Sequence, residues 1–357
     1  MRLMNPNVVK GLLIFLVVLD HNDFLSAEIP FYLRPLGFHV LSFLAIPFVL
    51  ERDSTTSMLD KSFRYFWPFA LFLTISTLLY QVILIGNTDL LTIVRVWGVA
   101  LITGSGANVK AASGLYLLWF LPCIISLLLI KSWLKISQDV KPITIIISVF
   151  VAVGILFVPE NFRANTPMQL PLAMFLLSQC LIISWAYRVV LASKMYKVLT
   201  ILIMVIGVGL YLYCVKKGIR IEYARFLLPS SSINLIIAVL ANLLLSISLF
   251  LICTANFTEN IITRGFKAIG KYSLSIYLIH NFIYVALRIF GTYTFSSVWL
   301  NTVKEILLII FVLVISYIFS LIIFKTKTLK ILIFPKGYHE LVSLLLIRQS
   351  VRVPNEK

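Results

Sequence analysis

The sequence predicts an all-α integral membrane protein of about ten transmembrane helices, with both termini inside and an amphipathic helix near the C-terminal end. Three observations predict it. The chain is 60% hydrophobic and only 13% charged, where a soluble domain carries about 25% charged residues. Apolar runs near the ~20 residues that cross a bilayer recur along the whole length, and they are continuous rather than alternating, which selects helices over a β-barrel. Placing both termini inside puts roughly two-thirds of the 31 Lys and Arg residues on the inner side.

In order, the ten spans fall roughly at 7–23, 34–50, 65–85, 115–131, 142–158, 169–191, 197–214, 232–253, 272–291 and 303–324. The first closes on Asp20-His21-Asn22-Asp23, lacks a small-residue cleavage site and is followed by further spans, so it is expected to remain as an anchor. The stretch 90–103 is too short to span easily and is expected to lie at the interface or re-enter. Residues 328–347 alternate lysines with Leu and Ile, the pattern of an amphipathic helix on the membrane surface. The expected division is a membrane domain over 1–327 and a cytoplasmic tail over 328–357. No internal repeat or low-complexity tract is visible.

A formal charge of +17 would point to nucleic acid in a soluble protein. Here the cations sit in short loops, so the expected partner is anionic lipid and not nucleic acid. Lys216, Lys217, Arg220 and Arg225 break the pattern by clustering on the outer side. They suit a solvated or lipid-facing loop, or a substrate site for an anionic glycan or lipid phosphate. Cys123, Cys180, Cys214 and Cys253 lie singly in four apolar runs and read as small buried hydrophobes. No metal-ligand set, nucleotide loop or catalytic triad is apparent.

Lys10 and His21 stand out. Eleven positions separate them, which on an α-helix is three turns plus ~20°, so they share a face ~16 Å apart. If the helix enters the bilayer near Lys10, His21 lies at about mid-depth of a core ~30 Å thick. Ionisable groups there usually face a cavity or bundle interior and mark a functional path. The alternative is a signal anchor that ends in a polar loop.

At this pair the sequence resembles the acyltransferase family 3 membrane proteins, which O-acylate bacterial polysaccharides and related glycans. Lys-Gly-Leu-Leu-Ile-Phe-Leu-Val-Val-Leu-Asp-His, from Lys10 to His21, looks like the family's basic residue, ten intervening residues and a histidine. Lys61-Ser-Phe-Arg64-Tyr-Phe-Trp-Pro68 resembles the start of its third span, and Leu118-Trp119-Phe120-Leu121-Pro122 its fourth. Gly270-Lys-Tyr-Ser-Leu-Ser-Ile-Tyr-Leu-Ile-His280 resembles its late segment. The second span departs: Phe38-His39 is kept, but Pro47-Phe48 stands where the family usually has Ser-Gly.

The resemblance implies an O-acyltransferase, with acetyl the expected group, that takes acyl-CoA from the cytoplasm and modifies a polysaccharide or lipid-linked glycan, as in capsule or O-antigen biosynthesis. It implies a bacterial cytoplasmic membrane location, with acetyl-CoA or another acyl-CoA as substrate and no bound cofactor. Such transfer needs a base for the hydroxyl proton, donors for the oxyanion and a grip on the coenzyme phosphates. His21 is the best base, and could also carry the acyl group as a relay. Asp20 cannot orient it, since neighbours on a helix do not face each other. Lys10 pairs with phosphate, polarises the centre or simply marks topology. Lys61 and Arg64, three apart, are the candidate coenzyme grip or topology charges. His39 and Trp119 are weaker acceptor candidates, as are Lys216 and Lys217. His280 reads first as a packing histidine bonded to a neighbour. A glycan transporter or polymerase without acyl chemistry is the alternative, although no matching interrupted spans are visible.

Overall fold

The computed structural model describes residues 5–21, 37–50, 57–115, 117–136, 140–219, 221–254, 260–289 and 297–350. Among them the fold is all-helical. In chain order the helices are α1 Pro6–Asp20, α2 Phe38–Val49, α3 Met58–Leu78, α4 Leu90–Thr103, α5 Gly106–Ser113, α6 Phe120–Trp133, α7 Pro142–Leu156 and α8 Glu160–Asn165. They continue as α9 Leu170–Ala192, α10 Tyr196–Lys217, α11 Ser232–Thr254, α12 Ile261–Lys271, α13 Ser273–Ile289, α14 Val298–Lys325, α15 Lys327–Ile333 and α16 Tyr338–Ser350. Pairing of Glu222 with Leu227 is an isolated bridge.

Five helical stretches among the described residues are long and apolar enough to cross a membrane: Met58–Leu84, Pro167–Ala192, Tyr196–Lys217, Ser232–Thr254 and Trp299–Lys325. The other five expected spans hold shorter helices. The 15 residues of α7, for example, extend about 22 Å against a hydrocarbon core of ~30 Å. The stretch 90–103 is α4. It turns at Gly104, whose φ is 64°, and Ser105 then caps α5 through Asn108 N–H. α5 has no counterpart in the sequence reading, because Gly-Ala-Asn-Val-Lys-Ala-Ala-Ser carries no apolar period. Packing supplies what the pattern lacks: Gln81 Nε2 donates to the Ala111 and Ala112 carbonyls at 2.9 and 3.0 Å. Residues 328–347, expected as one amphipathic helix, form α15 and α16 with a break around Pro335 and Gly337. Proline lacks the N–H that would continue the first helix.

The chain divides into two compact units, one of residues 1–53, 137–160 and 174–320, the other of 54–136, 161–173 and 321–357. In the first unit α1 is the central helix. Asn5 caps it by accepting Asn7 N–H at 3.0 Å, and Pro6 occupies the first turn, where its missing N–H does no harm. Val9, Leu13, Ile14 and Val18 are wholly buried. Apolar side chains gain little by leaving lipid for protein, so close backbone approach decides such packing. α12 provides it. A Cβ on Gly11 would lie 1.9 Å from the Phe266 carbonyl oxygen, and one on Gly270 would lie 1.7 Å from that of Asn7. Two glycines therefore seat α12 antiparallel on α1.

Any side chain at either glycine should force these helices apart. Overpacking of this kind costs ~1–3 kcal/mol. Gly11→Val and Gly270→Val should each lower the melting temperature of the detergent-solubilised protein. Gly154→Ala, with nothing within 4 Å of the added carbon, should leave it unchanged.

Candidate active site

The histidines of the first unit come together at the end of α1. His21 caps that helix with φ −84° and ψ 0°, its N–H still reaching the Val17 and Leu19 carbonyls. Its Nδ1 lies 2.9 Å from Nε2 of His280 on α13. The ring planes are within 10° of parallel with centroids 5.2 Å apart, so the contact runs edge to edge as a hydrogen bond requires. On its other side His280 Nδ1 is 3.0 Å from the Ile276 carbonyl. Tyr277 and Tyr284 box the ring, each with its centroid at 6.0 Å. Tyr284 also donates to the Val18 carbonyl at 2.9 Å, a last-turn group that α1 cannot satisfy itself.

These bonds assign the protons. A carbonyl only accepts, so His280 Nδ1 carries its hydrogen and Nε2 of the neutral ring is an acceptor. His21 Nδ1–H must then donate to it. The lone pair of His21 is left on Nε2, the ring nitrogen that can accept a proton.

Asp20 turns to a different partner, His39 on α2, with Oδ2 3.7 Å from Nε2. His39 is 1% exposed, and among the described residues its Nδ1 has no hydrogen-bond partner. The start of α2 is fastened to α11: Ser42 and Ser246 hydroxyls both donate to the Phe38 carbonyl, at 2.7 and 3.2 Å, and lie 2.9 Å apart. Asn281, one residue beyond His280, is 2% exposed, and its Nδ2 likewise has no partner among the described residues. Buried polar atoms without partners are rare enough to call for a ligand or water.

The remaining candidates are dispersed. Lys10 is half-buried in the second turn of α1. Lys61 is half-buried and Arg64 exposed in the first turns of α3, in the second unit. Trp119 is buried in that unit, within the turn Leu117–Trp119 before α6. Lys216 and Lys217 are exposed in the last turn of α10, which closes on left-handed Gly218, and lysines there complement the helix dipole. Beyond them the loop folds inward. Asn242 Nδ2 donates to the Tyr223 hydroxyl at 3.1 Å, burial pushes that hydroxyl's pKa up, and Arg225 pairs with Glu222 at 3.1 Å. Asn22, Asp23 and Arg220 lie outside the described residues. Among the described residues no group of three or more His, Cys, Asp or Glu is placed to hold a metal.

The sequence profile of the acyltransferase 3 family, described as an acyltransferase domain, matches residues 5–325. The chain belongs to this family. It is therefore a membrane acyltransferase. No curated protein and no solved structure matches it.

Sequence reasoning missed His280 as the partner of His21, and missed Asn281 altogether. A signal was present: Tyr277, His280, Asn281 and Tyr284 stand at i, i+3, i+4 and i+7, one polar and aromatic helix face inside an apolar run. His280→Leu should leave the His21 donor unsatisfied and its ring unoriented, lowering acyl transfer by about 10–100-fold, the usual effect of losing an orienting partner. His280→Gln can place its carbonyl oxygen near the lost Nε2 and should retain more activity than Leu at matched protein level.

Proposed function

We propose that the protein is an O-acyltransferase, acetyl being the expected group, that transfers from acyl-CoA to a hydroxyl of a cell-surface polysaccharide or its lipid-linked precursor in the bacterial cytoplasmic membrane. The observation that carries the proposal is the His21–His280 bond, which leaves the lone pair of His21 on Nε2. In direct transfer, Nε2 takes the proton of the sugar hydroxyl as its oxygen attacks the thioester carbonyl. Collapse of the tetrahedral intermediate breaks the C–S bond, and the imidazolium returns the proton to the leaving thiolate. In a relay, the same nitrogen attacks the thioester first and the C–S bond breaks to release the thiolate. The sugar oxygen then takes the acyl group from the acyl-imidazolium, the C–N bond breaks and the hydroxyl proton passes to the thiolate. Either route charges the ring, and His280 Nε2 shares that charge through the Nδ1–H bond.

Asn281 Nδ2 is the proposed donor to the oxyanion or to a sugar oxygen, and His39 Nδ1, with Nε2 turned to Asp20, the acceptor for a second hydroxyl. Lys61 and Arg64 are the proposed grip on the coenzyme phosphates, with Lys10 the cation on the helix of His21. Trp119, Lys216 and Lys217 stay as weaker acceptor contacts.

Ten spans with both termini cytoplasmic complete the proposal, on the distribution of Lys and Arg. Reporter fusions at Thr55 and Ser137 should signal cytoplasm, and one at Asn165 the outer side. Inverted signals at two of the three would overturn the orientation.

The chemistry is tested in membranes given labelled acetyl-CoA, by following label into polysaccharide. His21→Ala should cut incorporation by ~10²–10⁴-fold, the usual contribution of a general base. His21→Gln keeps a polar side chain without a basic nitrogen and should be as inactive. Near-normal incorporation by both variants at matched expression would make His21 structural.

A further inference from the structure

The matched family region stops at residue 325, yet the chain beyond it is built into the second unit. α15 and α16 pack on the first turns of α3. Trp67 Nε1–H donates to the Leu332 carbonyl at 2.7 Å. Phe63 stacks on Trp67 with centroids 6.0 Å apart and meets the Tyr338 ring edge-on at 5.7 Å. Phe334, between the two tail helices, lies 6.5 Å from Phe72 and 5.6 Å from Phe324.

The centre of this contact is Asp60. Its carboxylate accepts Tyr338 N–H at 3.2 Å and the Ser57 hydroxyl at 2.7 Å. Ser57 caps α3 and Tyr338 opens α16, so one carboxylate serves the positive ends of two helices. The approach is close: a Cβ on Gly337 would stand 2.1 Å from Asp60 Oδ1, so a side chain there has to displace the carboxylate.

Asp60, Phe63 and Trp67 stand at i, i+3 and i+7, one face of α3. Lys61 and Arg64 follow Asp60 and Phe63 by one residue each, so the cationic strip runs beside the clamped face, about 100° round the helix. We propose that residues 326–350 are a clamp that positions Lys61 and Arg64 for the phosphates of acyl-CoA, with Asp60, Trp67 and Gly337 as positioning residues. The inference rests on the donor role proposed for that cation pair. A clamp of this kind acts on donor affinity and leaves the chemical step alone.

The test compares three full-length variants and a truncation after Lys325 in the labelled-acetyl transfer assay. Gly337→Val and Trp67→Phe loosen the clamp without touching a cation, and Lys61→Gln/Arg64→Gln removes the cations under an intact clamp. Tail release is read separately, as faster trypsin cleavage at Lys327, Lys330 and Lys336. Gly337→Val and the truncation should raise KM for acetyl-CoA about tenfold with kcat held within about twofold, the pattern of lost ground-state binding. The double cation variant should raise KM at least as much, and Trp67→Phe less. If KM rises in the cation variant alone while the tail is released, the clamp is refuted and the donor site stands. If KM rises in none of them, both are refuted. A fall in kcat at unchanged KM refutes the clamp as well, since it reports general damage.

Discussion

The bond between His21 and His280 needs a scaffold that brings a helix end and a helix face within 2.9 Å and holds them there. Much of the first unit serves that end. Gly11 and Gly270 let α12 lie on the backbone of α1, and the Tyr284 hydroxyl ties the last turn of α1 to α13. Ser42 and Ser246 fasten α2 to α11, which places His39 within reach of Asp20. Each contact is small by itself. Side-chain hydrogen bonds between helices in a bilayer contribute ~0.6–2 kcal/mol apiece, so orientation of the ring rests on their sum.

A histidine orienting a histidine differs physically from the more familiar carboxylate. A buried carboxylate must be desolvated and carries its charge in the resting state, at several kcal/mol before its partner is ever protonated. A neutral imidazole brings no charge to the resting site. It orients His21 equally well through one hydrogen bond, and it can accept a proton once His21 becomes cationic. Among the described residues the neighbouring carboxylate, Asp20, lies toward His39, so its negative charge falls beside a second histidine.

What the sequence revealed and what it hid divide along physical lines. Spacing along one helix was legible, since Lys10 and His21 are linked by the helical repeat alone. So were the apolar runs that became α9, α10, α11 and α14, and the short α4. The His21–His280 contact joins residues 259 apart, and no local rule carries that distance. α5 was hidden because its residues are small and polar and its stability comes from Ser105 and the Gln81 amide. The tail was misread as one helix because Lys and Leu alternate through Pro335 and Gly337 as though no break were there. Phe334, Gly337 and Leu341 of the tail are buried against protein, while Leu329, Leu332 and Leu346 stay exposed.

The cations themselves separate by where they sit on their helices. Lys216 and Lys217 occupy the C-terminal turn of α10, where the helix dipole favours positive charge by ~0.3–1 kcal/mol each. Helix stability is one reason for their place. Lys61 closes the first turn of α3, at the end where the same dipole disfavours a cation, and Asp60 beside it offsets that penalty while latching α16. A lysine kept at the unfavourable end of a helix, next to a carboxylate already committed to two N-termini, is not there for the helix. Its position suits a topology charge or the phosphate grip proposed above, in which α16 would hold Lys61 and Arg64 in one register.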